Sequence, residues 1–141
     1  MKKKLLILSV ALFVLLVSAE AYNNSLITLS MDEIKSGEVS YTGVGGGPRH
    51  ELSYSELKEF VDFFNSCNIK KTDRRKISGN HSSISDSTDL SLLMQNDRNI
   101  YYMAFWDGEI YVTDEYNNMY YSLYNEKLLN YIKDMSKYFD W

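Results

Sequence analysis

The sequence predicts an α+β fold: a mostly antiparallel sheet with a β meander, and two amphipathic helices packed on one face. Three observations carry it. Two stretches show the i, i+3, i+4, i+7 apolar spacing of a helix with one buried face. Between them lie short β-rich runs separated by turn residues. Helices and strands are therefore segregated along the chain, which argues against a strict alternation and its parallel sheet.

The first element is an address. Lys2, Lys3 and Lys4 precede an apolar run from Leu5 to Val17, and Ala19-Glu20-Ala21 follows as a small-x-small cleavage site. That order is expected of a secretory signal peptide, residues 1–21, cut after Ala21, with Val17-Ser18-Ala19 as a second site. A membrane-spanning helix needs roughly 20 apolar residues; the whole stretch Leu5 to Ala19 is 15 residues long. No cysteine follows the run, which excludes a lipid-anchored precursor. Residues 22–141 are then expected as one secreted or cell-surface domain with no stable membrane span. Removing Lys2, Lys3, Lys4 and Glu20 from 15 basic and 19 acidic side chains leaves 12 and 18, a net charge of −6. Such a domain is a poor general binder of nucleic acid or anionic membrane.

Within that domain, Ser30-Met31-Asp32-Glu33 fits one short helical turn, and Val39-Ser40-Tyr41-Thr42 a strand. The first helix opens on the capping box Ser53-Tyr54-Ser55-Glu56, with Leu52 and Leu57 placed for a hydrophobic staple. Its stripe is Leu57, Phe60, Val61 and Phe64, and Asn65-Ser66 ends it. Residues 68–77 are expected as a strand and 78–88 as a serine-rich loop. The meander follows, with strands at 90–94, 100–106, 109–113 and 119–124. Gln95-Asn96-Asp97, Asp107-Gly108 and 114–118 supply its turns, Asp-Gly being a strong two-residue hairpin signal. The second helix starts near Asn125 and carries Leu128, Leu129, Ile132, Met135 and Phe139 on its stripe.

Signals for chemistry are sparse. Gly43-Val44-Gly45-Gly46-Gly47-Pro48 lacks the Gly-Lys-Ser/Thr of a phosphate loop, and Pro48 removes one amide from any cradle. It is expected as a turn. His50 and His81 are the whole imidazole supply, without a His-x-x-x-His pair, so no metal is expected. No Gly-x-Ser-x-Gly frames a serine nucleophile. Cys67 stands alone, so no intramolecular disulfide forms, and a small apolar role closing the first helix is its expected use. No catalytic residue and no cofactor are assigned.

Two surfaces suit binding. Lys70, Lys71, Arg74, Arg75 and Lys76 form the dense basic stretch of an acidic protein, fitting an anionic polymer or an acidic partner. The same charges on an edge strand also block unwanted pairing. Nine of the twelve tyrosines lie from Tyr101 to Tyr138. Tyr101, Tyr102, Tyr111 and Tyr120 are the sheet-face candidates, since a half-wet tyrosine gives contact area at low entropic cost.

Gly37-Glu38-Val39-Ser40-Tyr41, the helix Glu56-Leu57-Lys58-Glu59-Phe60-Val61, Trp106-Asp107-Gly108-Glu109-Ile110-Tyr111-Val112 and Tyr121-Ser122-Leu123-Tyr124 lie within a segment from Ile34 to Ile132. This segment resembles small secreted α+β domains of unassigned function from Gram-positive, Clostridia-like bacteria. The resemblance implies a compact α+β module behind a signal peptide and brings no functional residue with it. The expectation is a secreted, non-catalytic binding module of the bacterial cell envelope, with an envelope polymer or a protein as partner. The alternatives are a small envelope-acting hydrolase using His50, His81 and nearby carboxylates, and an inhibitor or immunity-type protein with one protein partner.

Overall fold

The computed structural model describes residues 7, 9–17, 26–42, 47–70, 74–76, 87–105, 108–114 and 119–139. Among them, seven strands form one antiparallel sheet: β1 (Ile34–Thr42), β2 (Arg49–Glu51), β3 (Arg74–Lys76), β4 (Ser87–Met94), β5 (Asn99–Phe105), β6 (Ile110–Asp114) and β7 (Met119–Leu123). Two helices, α1 (Tyr54–Ser66) and α2 (Glu126–Asp134), complete the α+β fold. The sheet order is β2-β1-β4-β5-β6-β7-β3. The meander β4 to β7 is continuous, β1 flanks it on one side, and β3 closes the opposite edge against β7.

Register decides which side chains meet the helices. Val39, Leu90, Tyr102 and Val112 are successive partners across β1, β4, β5 and β6. All four are buried. Because side chains alternate along a strand, Leu92, Ile100, Thr88, Ala104 and Ile110 fall on this same side and are buried too. Leu57, Phe60, Val61 and Phe64 of α1, with Leu128, Leu129 and Ile132 of α2, close the core. Both predicted helical stripes are the buried ones. Phe60 and Phe64 sit edge-on to Tyr102, at centroid distances of 6.4 and 5.7 Å.

The capping box is formed in full. Ser53 Oγ accepts from the Glu56 amide at 3.3 Å, and the Ser53 amide donates to Glu56 Oε2 at 2.7 Å. Ser53→Ala is expected to cost about 1 kcal/mol of stability, read as a lower urea midpoint at unchanged slope. At the other end, Asn65 clasps the chain ahead of β1, accepting from Leu29 N and donating to Leu29 O, both at 2.9 Å. Asn125 caps α2 by accepting from Leu128 N at 2.9 Å.

Several expectations need correcting. β1 starts at Ile34 rather than Val39, because Ile34 and Ser36 to Thr42 pair with β4 around an irregularity at Lys35, despite the weak strand preference of Gly37 and Glu38. Arg49-His50-Glu51, between the glycine-rich segment and the first helix, is β2. The glycine-rich segment therefore joins two strands. Gly47 there packs so close to Tyr41 that an added Cβ would lie 2.1 Å from its carbonyl oxygen. Ser87 and Thr88, expected in the serine-rich loop, are buried at the start of β4; residues 78–86 of that loop lie outside the described residues. Of the strand expected at 68–77, the described residues show Arg74–Lys76 as strand. Asn68 turns with φ of 52°, Lys70 bridges to Leu26, and Arg74–Lys76 alone pairs with β7. The second helix gives way at Met135 to a 3-10 turn, Met135–Tyr138, although Met135 and Phe139 are buried as its stripe requires.

Residues 9–17 are helical, and the apolar side chains of Val10 and residues 12–17 are exposed. Among the described residues, no helix is long and apolar enough to cross a membrane.

Candidate functional site

The side of the sheet away from α1 and α2 is polar and half-open. Its residues follow from the register. One row runs Arg49, Ser40, Asp89, Met103, Tyr111, Ser122 across β2, β1, β4, β5, β6 and β7. The next runs Glu51, Glu38, Ser91, Tyr101, Thr113, Tyr120. Glu38, Ser40, Asp89, Ser91, Tyr101, Met103, Tyr111 and Thr113 are all half-buried, and Glu51 and Arg49 are exposed. Ser122 at the β7 end is buried, whereas these ten positions lack the full burial seen on the helix side. The tyrosines gather on β5 and β6 and the carboxylates on β1, β2 and β4.

The four sheet-face tyrosines of the sequence reading therefore part company. Tyr101 and Tyr111 lie on the open face as diagonal neighbours on adjacent strands, roughly 7–8 Å apart. Tyr120 shares a row with Tyr101 by register. Tyr102 does not belong to this face: it is 3% exposed and packs against Phe60 and Phe64. Strand alternation places adjacent residues on opposite faces, so Tyr101 and Tyr102 never shared one. Sequence reasoning missed Glu38, Glu51 and Asp89, whose signal was the same alternation once β1 is extended back to Ile34.

The carboxylates on this face are only partly engaged. Asp89 accepts from the Ser87 hydroxyl at 2.6 Å and from the Thr42 hydroxyl. Glu38 Oε1 lies 3.4 Å from Arg49 Nη1, with both side chains well exposed, a geometry worth little stability in water. Glu38 and Glu51 are direct partners across β1 and β2. Like charges directly opposite each other on adjacent strands are destabilising.

The basic stretch falls on two elements among the described residues. Lys70 is exposed beyond α1, residues 71–73, including Lys71, lie outside the described residues, and Arg74, Arg75 and Lys76 form edge strand β3. In register, Arg74 and Lys76 oppose Leu123 and Tyr121 while Arg75 opposes Ser122. The edge placement is the one in which basic residues discourage pairing with a foreign strand.

His50, a candidate of the hydrolase alternative, is built into the fold; His81 lies outside the described residues. The His50 ring stacks on Tyr138 at 4.5 Å and Nε2 sits 3.2 Å from Glu56 Oε1. These contacts tie β2, the start of α1 and the C-terminal 3-10 turn together. Ser53, through its hydroxyl and then its amide, holds the Glu56 carboxyl below its ordinary 4.5; burial opposes this and His50 adds a smaller pull downward. A carboxyl with a depressed native pKa stabilises the fold above its unfolded value and loses that contribution as pH falls through the native one. Glu56→Gln is accordingly expected to flatten the acid limb of stability below pH 4.5, checked by urea melts across pH. An acid limb identical to wild type rules this linkage out.

Burial pushes the Cys67 thiol up, at a half-buried position capping α1. Among the described residues, no group of three or more His, Cys, Asp or Glu could hold a metal ion. A cavity of about 250 Å³ lies off the open face, where Asp32 and Glu33 meet the β4–β5 turn at Met94, Gln95, Asn96 and Arg98. No protein-family model, curated protein or solved structure matches the chain.

Proposed function

We propose that this protein is a secreted, non-catalytic binding module of the bacterial cell envelope, meeting its partner on the open face of the sheet. The observation that carries the reading is the segregation of the two faces. One is sealed by both helices, while the other leaves Tyr101, Met103, Tyr111 and Thr113 half-buried beside partly engaged carboxylates. Amphipathic rings held on a rigid sheet provide contact area at small entropic cost. The export signal at residues 1–21 supports the extracytoplasmic setting, as do the apolar side chains of residues 12–17, which are exposed rather than packed into the core. A polypeptide recovered outside the cytoplasm should begin at Tyr22; recovery with residues 1–21 retained removes the cleavage part of the reading.

The test is capture from envelope extract by the full chain carrying a C-terminal tag, at low and high salt. Two variants run beside it, Tyr101→Ser/Tyr111→Ser and Lys70→Glu/Arg74→Glu/Lys76→Glu. Capture lost in the tyrosine variant supports the sheet face. Salt-sensitive capture lost in the charge-reversed variant moves the contact to β3 and overturns the placement. Salt-resistant capture of one stoichiometric protein, lost in the tyrosine variant, makes the module inhibitor-like. No capture under any condition overturns the binding reading.

A further inference from the structure

We infer that the arm at residues 26–29 sets the order of maturation: once it docks, the bond after Ala21 is closed to a signal peptidase, so cleavage comes before docking. The inference rests on the export signal at residues 1–21 and adds the sequence of events at its boundary. Cleavage adds water across the Ala21–Tyr22 peptide bond, leaving a carboxylate on Ala21 and an amine on Tyr22. What decides the order is how near that bond lies to backbone built into the fold.

Leu26 bridges to Lys70, and Ile27 N donates to Ile69 O at 2.7 Å. The Asn65 side-chain amide accepts from Leu29 N and donates to Leu29 O, both at 2.9 Å, as a partner strand would. Leu29 and Ile69 are buried, and Ile27 packs against the same core. The ledge that receives the arm is itself held, because Asn125, the cap of α2, donates to Cys67 O at 3.4 Å. Undocking the arm breaks these hydrogen bonds and uncovers Leu29. Only Tyr22, Asn23, Asn24 and Ser25 separate the scissile bond from Leu26. Fully extended, the link from Ala21 to Leu26 reaches at most about 18 Å. A domain of about 120 residues has a radius of gyration of about 14 Å, so the body is wider than its tether is long. The exposed apolar side chains of residues 12–17 draw the leader to a bilayer, and the peptidase has to fit between that surface and the body. A segment tied into a fold is cut through the fraction of molecules in which it has opened. A docked arm keeps that fraction small. An undocked one doubles the free strand, from residues 22–25 to residues 22–29.

Four substrates are compared in detergent micelles: the purified full chain, the same chain with about ten Gly and Ser residues inserted between Ser25 and Leu26, Asn65→Ala, and a peptide of residues 1–30. Each is incubated with a bacterial signal peptidase, and appearance of the Tyr22 amino terminus is followed by mass spectrometry. The full chain is expected to be cut at least about tenfold more slowly than the peptide, and the insertion to restore most of the peptide's rate. Asn65→Ala is expected to fall between the full chain and the peptide, because it loosens the arm without lengthening the tether. An insertion that leaves cleavage slow, or a folded Asn65→Ala cut no faster than the unsubstituted chain, overturns the inference. Should Asn65→Ala lose its folded amide spectrum, the insertion decides alone, being placed ahead of the exposed Leu26. A peptide that stays uncut after Ala21 removes the export signal and the inference together. A cut peptide with an equally fast full chain removes the inference and leaves the export signal standing.

Discussion

Phe60→Ala should lower the unfolding free energy by about 3–5 kcal/mol, the largest loss expected from one substitution here. Phe60 is fully buried at the centre of α1, and its ring meets Phe64, Tyr102 and Tyr131 at centroid distances of 5.9, 6.4 and 6.1 Å. It thus joins α1 to β5 and to α2 at one point. Alanine removes the apolar transfer energy of the ring and leaves a void that three other aromatic rings cannot fill by small shifts. Phe60→Leu should recover part of the loss because it restores most of the volume. Urea melts of the three proteins at constant slope provide the check. A cost below about 1 kcal/mol for alanine, the scale of an ordinary surface change, would show that the helices are not seated on the sheet through this ring.

Arg98→Met should cost about 3 kcal/mol for a different reason. Asp114 is 2% exposed at the end of β6, on the helix-covered side, and its Oδ1 is 3.1 Å from Arg98 Nε. Removing the guanidinium takes the adjacent positive charge from a carboxylate that water barely reaches. Breaking such a pair is more damaging than replacing both partners. Arg98→Met/Asp114→Asn should therefore regain part of the stability lost by Arg98→Met alone. A double variant as unstable as the sum of its two single variants would show that no coupling passes between these groups.

The parts legible in the sequence were those written in local contacts. The capping box at Ser53, the stripe of Leu57, Phe60, Val61 and Phe64, and the Asp107-Gly108 turn each depend on neighbours within a few positions. β1 and β2 were harder, since Ser36, Gly37 and Glu38 become strand through pairing with β4, a partner far along the chain. Ser87 and Thr88 looked like loop for the same reason. In the candidate site, Tyr101 and Tyr111 were legible as residue types but their faces were not. Tyr102 was wrongly grouped with them because composition was read across a strand where period two should have divided it. Glu38 and Glu51 were invisible as a pair, because only the register of β1 with β2 sets them opposite each other.

The sheet order has a consequence for the route by which the chain folds. Strands β4 to β7 meet in sequence, so each pairing closes a short loop. Val39 must instead find Leu90, and Lys76 must find Tyr121, across most of the intervening chain. Closing long loops is entropically costly and slows folding. The meander is expected to form the nucleus, with both borders of the sheet docking after the rate-limiting barrier. Conservative truncations at Val112 should then slow folding, while Val39→Ala should mainly accelerate unfolding; equal effects on the folding rate would reverse that order.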